Sequence, residues 1–179
     1  MQVLGIDSST SRGGVAIANE QGIVATFTLS DRLSYSQRLL SMIHLILERA
    51  HLSIEELDGF AIACGPGSFT GLRIGISMAK GLALATGKPA IGIPTLDALA
   101  YHLCFSTCLV CPLLDARRGE VYTAFYRAEG REMRKLTDDL VLSPEEFCMM
   151  IREPVILLGD GLVSYGEMLK KTLRHLAIL

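Results

Sequence analysis

Two stretches carry residue types that could hold a phosphate group. Ile6-Asp7-Ser8-Ser9-Thr10 ends an apolar run with a carboxylate and a string of hydroxyls, the make-up of a turn placed under a nucleotide's phosphates. Such turns normally contain a glycine so that backbone amides can approach the anion. Here Ser8 and Ser9 fill those places, and the competing reading is a strand-to-strand turn in which Asp7 accepts local backbone hydrogen bonds. The second stretch is Gly65-Pro66-Gly67-Ser68-Phe69-Thr70-Gly71-Leu72-Arg73. It joins an expected buried strand to an expected helix, where amides at the helix N-terminus can face an anion. It is not a P-loop, because no Gly-Lys-Ser or Gly-Lys-Thr closes it and Lys80 lies too far along the helix. The preferred role of Gly65 and Gly67 is to form an abrupt turn around Pro66, with Ser68 capping the helix.

Other catalytic patterns are thin. His44, His51, His102 and His175 do not form H-x-x-x-H or H-E-x-x-H. The glycine-rich stretch has one residue too many after Ser68 to be a Gly-x-Ser-x-Gly elbow. Five cysteines are present, and Cys108 and Cys111 have C-x-x-C spacing. Leu109, Val110 and Pro112 around them indicate a buried strand, on which side chains three apart point to opposite faces. Reduced thiols packed as small apolar groups are expected there rather than shared zinc or a disulfide. Arg117, Arg118, Arg131, Arg134, Lys135, Lys170, Lys171 and Arg174 read as solvated surface, with a minority available to phosphate.

The elements that must position these residues follow from periodicity. Strands are expected over residues 3–6, 13–18 and 23–29, the last two as a hairpin. A helix follows from about Ser34 to about His51. Its apolar side chains, among them Tyr35, Met42 and Leu45, cover an arc of roughly 220°, more than one core requires. A strand over 59–64 feeds the glycine-rich loop and a second helix over 69–86. On that helix Arg73, Ser77 and Lys80 form a narrow polar stripe, and almost everything else is apolar or small. Burial on more than one side is expected, with the face carrying Gly71, Gly75, Met78 and Leu82 open to close approach by another backbone. A strand over 90–93, a helix over 94–103, and a second block of strands and helices from about residue 108 complete the pattern. The second block includes one alternating strand over 120–127. The fold class is α/β in two lobes, 1–105 and 106–179, which could share one plan.

Composition narrows the functional classes. The formal net charge is -2 and half the residues are hydrophobic, so there is no global field for nucleic acid or an anionic membrane and ample material for a core. No apolar run reaches the roughly 20 residues needed to span a bilayer. The N-terminus reads directly into polar residues without a signal peptide. A soluble, cytoplasmic protein is expected.

Further motifs extend the pattern: Tyr35-Ser36-Gln37-Arg38-Leu39-Leu40, Ala79-Lys80-Gly81-Leu82-Ala83, Ile91-Gly92-Ile93-Pro94-Thr95-Leu96-Asp97-Ala98-Leu99-Ala100 and Asp115-Ala116-Arg117-Arg118-Gly119-Glu120-Val121-Tyr122. Together with residues 6–10 and 65–75, they resemble the TsaB family, also called YeaZ, which takes part in bacterial tRNA threonylcarbamoyladenosine synthesis. The resemblance implies a two-lobed actin-like (ASKHA, ribonuclease H-like) fold, here with a reduced second lobe. It also implies a scaffold subunit that heterodimerises with the catalytic paralogue TsaD, which modifies the adenosine beside the anticodon, while the ATPase TsaE joins the assembly. In the paralogue a metal-binding H-x-x-x-H follows the glycine-rich helix and the next strand; Thr95 and Leu99 stand at the matching positions here. The resemblance therefore implies no catalysis, metal or cofactor of the subunit's own, ATP or ADP only at a complex interface, and tRNA reached through the complex. In the family the first two long helices bind the paralogue, or a second copy in its absence. That places contacts at Tyr35, Met42, Leu45, Gly71, Gly75, Met78 and Leu82, with Asp7, Ser8, Ser9, Thr10, Gly65, Gly67 and Ser68 as a degenerate phosphate loop or a structural one. The alternative is an actin-fold phosphotransferase or peptidase-like enzyme acting alone.

Overall fold

Alternating apolar residues at the N-terminus build three antiparallel strands, β1 (Gln2–Asp7), β2 (Arg12–Asn19) and β3 (Gly22–Ser30). The computed structural model describes residues 1–30 and 35–179. The chain divides into two units, Met1–Pro94 and Thr95–Leu179. In the first, helix α1 (Tyr35–Ala50) leads to β4 (Gly59–Gly65), helix α2 (Phe69–Thr86) and β5 (Ala90–Pro94). Strands β4 and β5 lie parallel to β1, giving the order β3-β2-β1-β4-β5. The core sets Leu4 and Ile6 of β1, Val15 and Ile17 of β2, and Phe60 and Ile62 of β4 among Leu39, Met42, Ile43, Ile46 and Leu47 of α1. Burial of such side chains contributes about 25 cal/mol per Å². Helix α2 starts at Ser68, whose Oγ accepts the Gly71 N–H at 3.2 Å. It ends at Gly87, which takes the left-handed conformation (φ 69°) that costs other residues energy.

The second unit begins with α3 (Thr95–Tyr101), followed by β6 (Leu109–Arg117), β7 (Glu120–Thr123), β8 (Tyr126–Glu129), β9 (Glu132–Lys135) and β10 (Leu140–Leu142). Helix α4 (Pro144–Met150), β11 (Val155–Leu158), helix α5 (Gly161–Leu173) and β12 (Ala177–Ile178) complete it. Its sheet runs β10-β7-β6-β11-β12, with β8 joined to β6 and β9 joined to β8. The expected lobe limits, 1–105 and 106–179, give α3 to the first lobe; here it groups with the second. Its Leu96 and Ala100 are buried among Val110, Leu114, Ala124 and Tyr126. A polar latch reinforces the packing: the Tyr126 hydroxyl donates to Asp97 Oδ1 at 2.6 Å, and Lys135 Nζ meets Asp97 at 2.9 Å and Asp139 at 2.6 Å. Burial, then the Asp97 contact, raise the Tyr126 phenol's pKa and keep it protonated. The single strand expected over 120–127 is two strands, since β7 pairs with β6 and β10 whereas β8 turns to pair with β9.

Candidate functional site

Where β1 ends, its turn and the loop before α2 are closed onto each other. The Ser9 N–H and Oγ both donate to Asp7 Oδ1, at 2.8 and 2.6 Å. The Ser9 carbonyl accepts the Ser68 N–H at 2.6 Å, and Ser8 Oγ donates to the Gly71 carbonyl at 2.8 Å. Thr10 Oγ1 donates to the Arg12 carbonyl at 2.6 Å. Ser8 and Ser9 are completely buried. Gly65 (φ 119°) and Gly67 (φ 154°) take backbone conformations that other residues rarely adopt, and a Cβ on Gly67 would run into the Ser9 carbonyl oxygen. The amide of Ser68 and the first capped amide of α2 are thus spent on Ser9 and Ser68 Oγ. Neither of these two amides is left to hold a nucleotide phosphate.

The close approach expected of the Gly71 and Gly75 face is made within the unit. A Cβ on Gly71 would overlap the Ser8 carbonyl oxygen; one on Gly75 would overlap Ser8 Oγ and lie 2.9 Å from Ile62 Cδ1. Both glycines are buried. Their smallness serves the contact of α2 with β1 and β4, so neither offers surface to a partner. Met42 needs the same correction: it is 3 % exposed, inside the core under α1. The apolar arc of α1 is wide because one part of it covers the sheet.

The rest of the arc is outward. Leu40 on α1 is 57 % exposed, and Phe69 and Leu84 on α2 are 74 % and 87 % exposed. A depression of ≈ 500 Å³ is lined by Arg73, Ile74, Ser77, Met78, Gly81 and Leu82. A second, of ≈ 470 Å³, includes Leu40, Ile43, His44, Leu47 and again Leu82. Of the residues expected at the interface, Met78 and Leu82 line these depressions and Leu45 is half-buried. The side chain of Tyr35, and Ser34 as a helix cap, lie outside the described residues. Leu40, Phe69 and Leu84 were missing from the sequence-derived set, although each is a large apolar residue off the face that fits the sheet. Arg73 lies over the Phe69 ring at 5.3 Å, giving the N-terminal end of α2 an aromatic and a cation together.

Thr95 at the start of α3 is 2 % exposed and its Oγ1 has no hydrogen-bond partner among the described residues. With Leu99 one turn on, this position presents a hydroxyl and an alkyl group, not imidazoles. Cys111 is buried in β6, and burial raises its thiol pKa, as it does that of Cys148, so both stay protonated.

Comparison with known proteins places these features in a lineage. Residues 21–159 match the family model described as TsaD: tRNA N6-adenosine threonylcarbamoyltransferase. The chain is 39 % identical over 178 residues to the Escherichia coli tRNA threonylcarbamoyladenosine biosynthesis protein TsaB, covering 96 % of this chain and 77 % of that one. YeaZ from Pseudomonas aeruginosa superposes with a TM-score of 0.83 at 31 % identity, over 93 % of this chain and 78 % of that structure. At 10 % identity, where only the fold is comparable, the activator of 2-hydroxyisocaproyl-CoA dehydratase from Clostridium difficile matches with a TM-score of 0.55, over 99 % of this chain and 87 % of that one. The fold is the actin-like, ASKHA-type fold.

Proposed function

The chain belongs to the TsaB (YeaZ) family of tRNA threonylcarbamoyladenosine biosynthesis proteins, and from that premise we propose that it is the non-catalytic subunit that heterodimerises with a TsaD-type catalytic partner. The observation that carries the proposal is the apolar surface of α1 and α2: Leu40, Phe69 and Leu84 are exposed, and two depressions share Leu82. A surface of this kind marks an interaction site, and its aromatic and arginine residues are the types that anchor interfaces. Support for a non-catalytic role comes from the turn at Ser8 and Ser9, sealed against α2, and from Thr95 and Leu99, whose side chains cannot hold a metal as an imidazole pair. In this reading a TsaE-type ATPase joins the assembly, tRNA is reached through the complex, ATP or ADP belongs to a junction between subunits, and the complex works in the cytoplasm.

A charge at Gly75 would test the fold rather than docking, since that glycine is buried against Ser8 and Ile62. The suitable variants are Leu84→Glu and Leu40→Glu. Each should leave the melting temperature of the isolated chain within a few degrees. Together they should abolish co-purification with the TsaD-type partner and the stimulation of threonylcarbamoyl transfer to tRNA. Undiminished co-purification of the double variant discards this face as the docking site; unchanged tRNA modification when the chain is omitted discards the function.

A further inference from the structure

Near the N-terminal ends of β6 and β11, the second unit carries a recess of ≈ 350 Å³, a volume within the range of small-molecule sites. Leu109 of β6 and Phe125, between β7 and β8, line it and are otherwise buried; the Phe125 ring is backed by Phe147 of α4 at 5.9 Å. Leu136 and Met150 line it too, and at 43 % and 44 % exposed they carry the apolar surface outward. The wall is fastened from within. The Phe125 N–H donates to Thr137 Oγ1 at 3.1 Å, and the Phe125 carbonyl accepts the Leu136 N–H at 2.7 Å. These bonds hold residues 136 and 137 against residue 125, while the Thr137 hydroxyl keeps its own proton to donate.

The charged groups of the recess are unequal. Arg127 Nη2 donates to Glu153 Oε1 at 2.7 Å, so these two offset each other. Arg152 is in no ion pair among the described residues: its Nη1 donates to the Ile151 carbonyl at 3.1 Å, and the rest of its fork meets no acceptor there. One surplus positive charge therefore stands beside an apolar floor.

We propose that this recess binds a small organic monoanion, a carboxylate carried on an aromatic or branched apolar body. The carboxylate takes the open side of the Arg152 guanidinium, whose parallel N–H groups match its two oxygens, and the Thr137 hydroxyl is a further donor. The body lies on Leu109 and Phe125, where the Met150 thioether suits an aromatic ring. An amine would meet the like charge of Arg152, and a second carboxylate would have to break the pair of Arg127 and Glu153. A peptide is less suited, because the main-chain groups of Phe125 and the Leu136 amide are already bonded to each other and to Thr137. This site lies wholly in the second unit and stands apart from the partner-binding reading, which uses α1 and α2.

The test is titration of the full chain, isotope-labelled at its methionine methyls, with phenylpropionate, phenylpropanol and phenylpropylamine at constant ionic strength. Met150→Leu identifies the Met150 signal in the spectrum. Ligands of this size should act in the millimolar range. The acid should shift the Met150 signal saturably and bind about fivefold more tightly than the alcohol, with the amine weakest. Arg152→Gln should bring the acid to the level of the alcohol, and Arg152→Glu should make the amine the tightest of the three. Both change an exposed side chain, and thermal melting checks that they fold. Leu40→Glu/Leu84→Glu should bind the acid as the wild type does, so this inference and the partner-binding reading fail separately. No saturable shift at Met150, equal affinity for acid and alcohol, or a preference for the acid that survives both Arg152 substitutions overturns the proposal.

Discussion

The first sheet runs β3-β2-β1-β4-β5 and the second β10-β7-β6-β11-β12 with β8 and β9 added beside β6, so each of the first sheet's five strands has a counterpart at the same place in the order. Helices α1 and α4 precede the inner parallel strand, and α2 and α5 follow it. In both units a glycine brings the later helix onto the central strand: Gly71 against the Ser8 carbonyl, and Gly161 against the Leu113 carbonyl. The seals around these joints differ. In the first unit they are hydroxyls, with Ser8 Oγ on the Gly71 carbonyl and Ser68 Oγ on the Gly71 amide. In the second they are carboxylates, with Asp160 Oδ1 accepting the Asp115 N–H at 3.2 Å and Asp115 Oδ2 accepting Ser164 Oγ at 3.3 Å. One backbone plan thus supports a joint in which hydroxyls meet the helix and one in which carboxylates do.

The sharpest way to break this comparison is to make the same substitution at both joints. A methyl on Gly71 overlaps the backbone oxygen of Ser8 outright, and its other close neighbour is Ser68 Oγ at 3.3 Å. On Gly161 the methyl lies 2.9 Å from the Leu113 oxygen and 3.1 Å from its carbon, a clash that a small backbone shift relieves. Gly71→Ala should cost about 3 kcal/mol and Gly161→Ala about 1 kcal/mol, offset in part by the better helix propensity of alanine. Denaturant unfolding of the two variants measures this. Equal losses would show that the joints are alike in tightness.

Much of this plan was legible in the sequence, and the gaps have physical reasons. Alternation in β1 to β3 and the apolar run of β4 gave strands because one face or both are buried. Ser68 marked the start of α2 because capping chemistry is local. The destination of a small-residue face is not local: Gly71 and Gly75 suit a partner's backbone and their own β1 equally well until Ser8 is placed. Met42 was misassigned for a related reason, since a wide apolar arc does not say which part of it meets the sheet. The break between β7 and β8 hid in the continuous alternation of 120–127, where the change of strand partner leaves little mark on side-chain polarity. The shared plan of the two units lies in strand order, which tertiary structure preserves without repeating residues.

The two cores also differ in polarity. The buried faces of β1 and β2 present Leu4, Ile6, Val15 and Ile17. In the second unit, β7 buries Thr123 completely, and its Oγ1 finds no partner among the described residues. A hydroxyl taken from water without a hydrogen bond is destabilising. Thr123→Val keeps the shape and the β-branched preference for strands, and should raise stability by about 1 kcal/mol. Thermal or urea unfolding checks it. A loss instead would mean that the hydroxyl has a bound water in solution.

The smallest expected effect tests the titrating joint. Burial, followed in part by the charge of Asp115, raises the Asp160 pKa despite the Asp115 N–H bond and nearby Arg117, which lower it. Since its folded pKa lies above the unfolded one, the native state binds a proton more readily, and the ionised carboxylate subtracts stability at neutral pH. That penalty should fade as pH falls through the folded pKa. Asp160→Asn retains an oxygen to accept the Asp115 N–H while removing the charge. The variant should melt slightly above wild type at neutral pH, and the gap should close as pH falls into the carboxylate range. Using the difference between the two proteins cancels the opposite trend from Glu56 and Glu146, whose pKa values are lowered by hydrogen bonds from Ser53 and Ser143. A variant less stable at neutral pH would instead show that the charge-assisted bond to the Asp115 amide outweighs desolvation, making the second joint as firmly sealed as the first.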